Sequence, residues 1–474
     1  MMLTNQSSSF LMSFWVGLAG VGVGIVAGFL AGAEPLYIGL AVGAIAIAFY
    51  FFVKFEQAVI GLLIIRSALD PFSEQQVPAA FAIALDLLTL LYVVVALLIG
   101  QRVRTDKFWW LFAAWVVLQG FWVILIPLQE LQFDDAVLLD SIREWVRLFS
   151  WLMVYLLVMQ LKDRLQPQKM ISALFFALII PLTAALMQIF LPISLLPTIL
   201  QVTVDPISGE ISRINGTLGL SNTFATFLLL FIGLAWWQLS QSQKRWPWLV
   251  LLGLLAFIYV GTKALFSLMM LGVFILVLML PRLNLINLIG GVLLFALVIG
   301  LFASTEFGQQ RLGSLVQTPL LNPDMDISRA ILLAQGDHNS FNWRLSQWTY
   351  LLKAWEQYPI FGYGLSTSRY LTIYNNYAHN DYVRAIAEGG VVGILAFLAF
   401  LGTQATHLIH LIRHTPRNSA QNKLCWVLLA LLLSMFVGMI TENIWTHTTF
   451  FFYWWTLLAI AGWNWNQSRE LNAL

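Results

Sequence analysis

Long apolar runs alternate with short polar connections from one end of the chain to the other. The runs are rich in Leu, Ala, Phe and Gly and lack the period-two alternation of a membrane barrel. Many reach the length of about 18 residues that lets a helix cross a bilayer. The pattern predicts spans at roughly 10–32, 36–53, 57–68, 80–100, 108–127, 144–162, 169–191, 218–239, 246–262, 264–280, 285–303, 385–411, 424–442 and 447–464. Those at 57–68, 246–262 and 264–280 are short. The expected fold is all-α: a polytopic transmembrane helix bundle of about 12–14 spans, with one large extracytoplasmic loop containing short helices. The first run, preceded by no Lys or Arg and followed by no small-residue cleavage signal, is read as a retained span. Four sections follow: N-terminal spans in 1–200, middle spans in 201–303, the large loop at 304–384, and three C-terminal spans in 385–474.

Composition agrees with a membrane chain. Of the 474 residues, 59% are hydrophobic and 10% charged, with mean hydropathy +0.80. A soluble fold could not hide that much apolar surface. The single cysteine, Cys425, excludes an intramolecular disulfide and a cysteine-based metal site. Charge placement adds sidedness. With the N-terminus cytoplasmic, the inner connections hold fourteen of the 25 cations, among them Lys54, Arg102, Lys169, Arg413, Arg417 and Lys423. Both termini then lie in the cytoplasm, and the expected location is a bacterial inner membrane with the large loop in the periplasm. Arg66, Arg143, Arg147, Arg213 and Lys263 fall near the outer ends of spans, against that rule, so each calls for a reason. Arg66 with Asp70 has the i, i+4 spacing of a helix-stabilising pair. Arg143 and Arg147, with Asp140 and Glu144, read as a solvated helix end.

The loop 304–384 is too long for a connector. Within it, "NWRLSQWTYLLKAWEQYP" predicts a helix with Arg344, Trp348, Leu351, Leu352 and Trp355 on one face, suited to the headgroup layer. "PIFGYGLS" then predicts a tight turn. At the mouth of the next span, "HNDYVRAIAEGGVVG" packs His379, Asn380, Asp381, Arg384 and Glu388 into a short polar head. On a continuous helix Asp381, Arg384 and Glu388 share a face and can pair, which leaves His379 free. Gly389, Gly390 and Gly393 thin the first turns, so a neighbouring helix or a lipid chain can approach closely.

These segments resemble the O-antigen ligase and O-antigen polymerase superfamily. "HNDYVRAIAEGGVVG" is similar to its His-Asn/Ser and Glu-x-Gly-x-x-Gly signature. "WRLSQWTYLLKAWEQYPIFGYGL" resembles its Arg, Trp and Pro-x-x-Gly-x-Gly segment. "SRINGTLGLSNTFATFLLLF" resembles its Arg-x-x-Gly-Thr element followed by Asn-x-Phe-Ala, carried here by Arg213, Gly216, Thr217 and Asn222. The likeness covers roughly 210–400 together with the large loop followed by three spans. It departs at "GTKALFS", where Lys263 and Ala264 stand in place of the family's Arg and Gly; lysine keeps the charge but not the planar fork.

The resemblance implies transfer of a glycan from a polyprenyl (undecaprenyl) diphosphate carrier to an acceptor hydroxyl. The donor is then a lipid-linked glycan, and the acceptor a glycan or a lipid. Arg213 and Arg344, with His379, are the expected catalytic groups. Lys263, Asn380, Arg384, Glu388 and Asn222 are the expected substrate-binding groups. Guanidinium forks hold phosphate bidentately, and a neutral histidine can accept the hydroxyl proton. Fixed cations can carry the leaving charge, so no metal or other cofactor is expected. Asn380 could orient the imidazole or the substrate. Ligase and polymerase share these motifs and stay open as alternatives, as does the oligomeric state. No nucleic-acid partner is expected. The other reading is a membrane transporter, because some cyanobacterial relatives are described as bicarbonate transporters. That reading would favour ionisable groups near the bilayer midplane and an internal repeat. His407, His410 and His414 share a helix face at a spacing that could bind metal, but on the side away from the proposed site. "DMD" at 324–326 is read as a coincidence with the Asp-x-Asp of nucleotide-sugar enzymes.

Overall fold

A computed structural model describes residues 35–128, 134–200, 213–282, 284–304 and 340–465, with a few isolated positions besides. The predicted span 10–32 and the "DMD" stretch lie outside the described residues. Every regular element among the described residues is helical, as the apolar runs predict. The helices are α1 (Pro35–Val53), α2 (Phe55–Ile65), α3 (Val77–Leu98), α4 (Lys107–Leu128), α5 (Asp135–Met159), α6 (Pro167–Leu174) and α7 (Ile179–Phe190). They continue with α8 (Ser221–Leu239), α9 (Trp246–Gly261), α10 (Leu265–Met279), α11 (Leu285–Ala303), α12 (Ser340–Trp355), α13 (Asp381–His414), α14 (Ala420–Gly438) and α15 (Thr448–Ala461).

Six described segments are long and apolar enough to cross a membrane: Val77–Leu98, Lys107–Leu128, Pro167–Phe190, Ser221–Leu239, Asp381–His414 and Ala420–Gly438. Many of their large apolar side chains, such as Leu87, Val94, Val117 and Leu395, are more than 40% exposed, as a lipid-facing surface requires. The chain is a multi-pass membrane protein. Shorter apolar helices fill the predicted spans around 246–262, 264–280 and 447–464. The predicted spans 36–53 and 57–68 become two helices that meet at 120°, so they do not stack as two straight crossings. The last two predicted spans are trimmed: α14 ends at Gly438 and α15 begins at Thr448. Residues 439–447 therefore form a turn outside the spans.

Two compact units are present. One comprises Met1–Trp109, Ser150–Leu178 and Trp455–Leu474. In it Tyr92 stacks on Phe55 with ring centroids 4.4 Å apart, and Arg164 donates to the Tyr92 hydroxyl at 2.8 Å. Arg66 pairs with Asp70 at 2.6 Å, as their spacing predicts.

The other unit, Trp110–Phe149 with Ile179–Trp454, holds every candidate site residue. Its bundle closes at glycines. A Cβ on Gly233 of α8 would lie 2.9 Å from Val427 of α14, and one on Gly438 would lie 2.7 Å from Met270 of α10. Small residues let these helices touch where lipid gives no hydrophobic drive to associate.

The helix over 381–414 is not continuous. At Gly390 the backbone adopts φ 62°, ψ −160°, a conformation only glycine tolerates. The break frees backbone groups that lipid cannot satisfy, and the predicted 359–364 turn satisfies them. Val391 N donates to Pro359 O at 2.8 Å, and Val392 N to Ile360 O at 3.1 Å. In return, Tyr363 N reaches Ala387 O at 3.2 Å and Gly364 N reaches Glu388 O at 2.8 Å. Trp122 of α4 donates to Phe361 O at 2.9 Å, and its ring lies against Gly389 and Gly393. The glycines do permit a close approach, but the chain's own turn and Trp122 take the place expected for a lipid.

Replacing Gly390 by Ala tests this inserted turn. The new Cβ would sit 2.3 Å from Ile360 backbone atoms. Backbone strain alone costs about 1–3 kcal/mol, and the clash adds to it. Gly402→Ala, on the same helix with open space around it, is expected to be neutral or stabilising by up to about 1 kcal/mol. Thermal midpoints of the two variants in detergent check the contrast.

Candidate functional site

His379 sits at the junction of three elements. Its backbone is left-handed, with φ 48°, and the next residue, Asn380, is extended and begins α13. The Asn380 side chain accepts from Tyr382 N at 3.0 Å and Val383 N at 3.1 Å. That is a helix N-cap, which consumes the oxygen expected to orient imidazole or substrate. Asp381 N donates to Met439 O at 2.9 Å, and Asp381 Oδ2 accepts from Trp445 N at 2.9 Å. The start of α13 is thereby clamped to the 439–447 turn. Helix α12 fixes the chain just before His379: Gln347 Nε2 donates to Asn376 O at 2.5 Å and Trp348 Nε1 to Ala378 O at 2.6 Å. The predicted α12 face holds only in part. Leu351 is buried against Ala378 and Ala387, whereas Leu352 is exposed, because the inward face also carries Asn342, Ser346 and Gln347.

The imidazole is not left free. His379 Nδ1 lies 3.0 Å from Glu442 Oε1. A carboxylate only accepts, so Nδ1 donates, which in a neutral ring places the lone pair on Nε2. No protein group among the described residues engages Nε2, and the side chain stays partly exposed at 21%. The Trp343 ring meets the imidazole edge to face at 5.3 Å.

Glu442 is the hub. Its other oxygen accepts from Asn222 Nδ2, whose Oδ1 accepts from Arg213 Nη2 at 2.5 Å. Arg213 Nε donates to Thr262 O at 3.1 Å, and Ile214 N to Gly261 O at 3.3 Å. The turn so held contains Lys263, itself at φ 50°. Arg344 acts on Glu442 electrostatically. Burial alone would raise the Glu442 pKa, but the hydrogen bond and charge of His379, helped by His447 and Arg344, bring it down to about 2. The imidazole of His379 and the guanidinium of Arg213, taken from separate sequence segments, thus meet in one network around a carboxylate, with Arg344 acting on it and the turn of Lys263 held beside Arg213. Glu442 is the member that sequence reasoning missed. It sits in "TENIWTH" between two spans on the predicted outer side, and an acid at such a mouth was the available signal.

His447 lies beside it, buried, with Nδ1 3.0 Å from Thr226 Oγ1. Burial depresses its pKa to about 4, against the opposing pull of Glu442.

A second cluster supports the first. Arg384 donates through Nε to Glu388 at 3.0 Å and through Nη2 to Glu144 at 3.0 Å. Its guanidinium also lies 4.4 Å from the Tyr377 ring centroid. Glu388 accepts from Ser368 Oγ at 2.6 Å and Ser366 N at 2.9 Å. Arg147 also pairs with Glu144. Arg384, Glu388 and Glu144 are about 95% buried and engaged with one another. This is the geometry of a clasp between α5, α13 and the 359–370 segment. Asp381 belongs to the turn rather than to the predicted pairing. Glu144 and Arg147 are also less solvated than their sequence context suggests, whereas Arg143 is exposed.

Comparison with known proteins adds one match. A family model described as Wzy_C, O-antigen ligase, covers residues 249–398. That stretch runs from α9 to the upper part of α13 and includes Lys263, Arg344, His379, Asn380, Arg384 and Glu388. The match supports the O-antigen ligase and polymerase superfamily, and with it ligase- or polymerase-type glycosyl transfer in a membrane. No curated protein matches the chain.

Acidification should weaken this region in two steps. His447 is depressed from 6.5 to about 4, so the stability it contributes is complete above pH 6.5 and lost as pH falls toward 4. Glu442 is depressed from 4.5 to about 2, so its contribution is complete above pH 4.5 and lost below it. His447→Gln should flatten the melting-temperature profile between pH 6.5 and 4 and leave the steeper fall below 4.5. Thermal melts across pH in detergent measure both.

Proposed function

We propose that this chain, with its O-antigen ligase region at 249–398, moves a glycan from a polyprenyl diphosphate carrier to an acceptor hydroxyl. One observation carries the reading: an imidazole held by a carboxylate through Nδ1, with Nε2 unengaged by any described residue, in the same network as Arg213. A carboxylate-held histidine of this kind is a general base. His379 Nε2 takes the proton from the acceptor hydroxyl as its oxygen attacks the anomeric carbon. The bond from that carbon to the phosphate oxygen breaks, and its electron pair leaves with the polyprenyl diphosphate. Direct displacement inverts the anomeric configuration.

The departing charge is taken by Arg213, Lys263 and Arg344. These cations are preorganised by Thr262 O, the 261–264 turn and α12, so little reorganisation accompanies the reaction. Glu442 fixes the tautomer and stabilises the imidazolium that forms. Asn222 transmits its position to Arg213. Arg384 and Glu388 act one layer out, as the clasp that sets the top of α13 and the substrate-facing turn. The site faces the periplasm, where lipid-linked glycans meet their acceptors.

The test uses purified protein in vesicles containing a polyprenyl-diphosphate-linked glycan and an acceptor, with released polyprenyl diphosphate and glycosylated product as readouts. His379→Ala and Glu442→Gln should each lower transfer by about 10²–10⁴-fold. Arg213→Ala should lower it by about 10²–10³-fold. Capped acceptor lipid identifies a ligase, and lengthened glycan identifies a polymerase. Undiminished transfer by His379→Ala, or solute uptake without any transfer, sinks the proposal.

A further inference from the structure

Helices α8, α10, α13 and α14 each have one end at the His379 region and the other at a cavity of about 820 Å³. The 19 residues of α8 alone extend about 28 Å, close to the hydrocarbon thickness of a bilayer. The cavity therefore opens at the opposite membrane surface. Arg413, Arg417 and Lys423 line it, together with Trp236, Trp237 and Trp426.

The charge there is uncompensated. Among the described residues, no carboxylate pairs with any of the three cations. Lys423 Nζ donates to Ser240 O at 3.3 Å. The sequence explains the lack of acids: neither 211–305 nor 389–441 contains an Asp or Glu, so the loops entering this end bring only cations. At the other end of the unit, Arg384 is matched by Glu388 and Glu144, and Arg147 by Glu144.

We infer that this cavity is a binding site for an anionic phospholipid, with the headgroup phosphate on Arg413, Arg417 and Lys423 and an acyl chain along Trp236, Leu278 and Val427. The volume falls within the roughly 300–1,000 Å³ of ordinary ligand sites. Basic pockets between membrane helices suit anionic headgroups, and tryptophan suits the level where headgroup meets chain. A soluble phosphate would satisfy the cations but leave the tryptophan and leucine wall open. The inference is independent of the glycosyl-transfer reading, since it uses none of its residues.

The full chain is reconstituted in nanodiscs of phosphatidylcholine containing phosphatidylglycerol, and retained lipid is counted by native mass spectrometry. One tightly held phosphatidylglycerol is expected, with retention weakened on the order of 100-fold in the Arg413→Gln/Arg417→Gln/Lys423→Gln variant. Lys54→Gln/Arg102→Gln/Lys169→Gln, which removes three exposed cations elsewhere, should keep it. Millimolar inorganic phosphate should not displace it. Should the first variant fail to fold, Arg417→Glu, on an exposed turn, is expected to weaken retention several-fold by itself. Equal loss in both triple variants would mean diffuse attraction to charge. Retention in the first variant, or displacement by inorganic phosphate, would equally overturn the site.

Discussion

Glu442 binds on two sides. One oxygen holds the His379 imidazole; the other, through Asn222, holds Arg213. Buried among Arg344, Arg213 and two histidines, the carboxylate stays ionised although burial alone would protonate it. The dependence runs both ways. A buried cation cluster without an anion is unstable, and a buried anion without cations is neutralised by a proton. Much of the upper half of the second unit follows from keeping this carboxylate in place. The turn at 439–447 must leave the lipid to present it, α14 must stop at Gly438, and Asp381 must hold that turn through Trp445 N.

A broken helix does the rest of the positioning. An unbroken α13 would carry its first turns straight into the bilayer, with no backbone left to hold the loop. At Gly390 the helix instead yields carbonyls and N–H groups that the 359–364 turn takes up. Glu388 lies two residues before the break, with its carbonyl on Gly364 N and its carboxylate on Ser366, Ser368 and Arg384. The large loop is thus tied to the span by backbone and by charge within a few residues. Helix α12 and the 374–378 strip are held above His379 by that same tie.

The sequence carried the helices and most of the site, for different reasons. Apolar runs fixed α3, α4, α8, α13 and α14 because a lipid-facing helix must be apolar over its whole length. Motif spacing selected His379, Arg213 and Arg344, and they lie in one network or act on it. What failed was local geometry set by distant partners. Asn380 looked like a substrate-facing amide, but it stands before four residues whose N–H groups need a cap. His379 looked free because its partner is 63 positions away. The glycines signalled close approach, yet nothing local says whether lipid, helix or turn will come. Glu144 and Arg147 looked solvated because Arg384, which completes their pairing, lies 240 residues along the chain.

The two ends of the bundle treat positive charge differently, and the proposed chemistry gives the reason. At the His379 end the cations are shared with Glu442 and steadied by backbone carbonyls. In that reading a diphosphate bound there departs after each transfer, so its grip has to be limited; a resident carboxylate already drawing on the same cations does that. Bare arginines in a pocket of low dielectric would hold the product and slow turnover. At the far end no such departure is required. Among the described residues Arg413, Arg417 and Lys423 stand without acids, and the inferred lipid, by staying bound, would add to stability by mass action. One arrangement fits a ligand that turns over, and the other fits a ligand that remains.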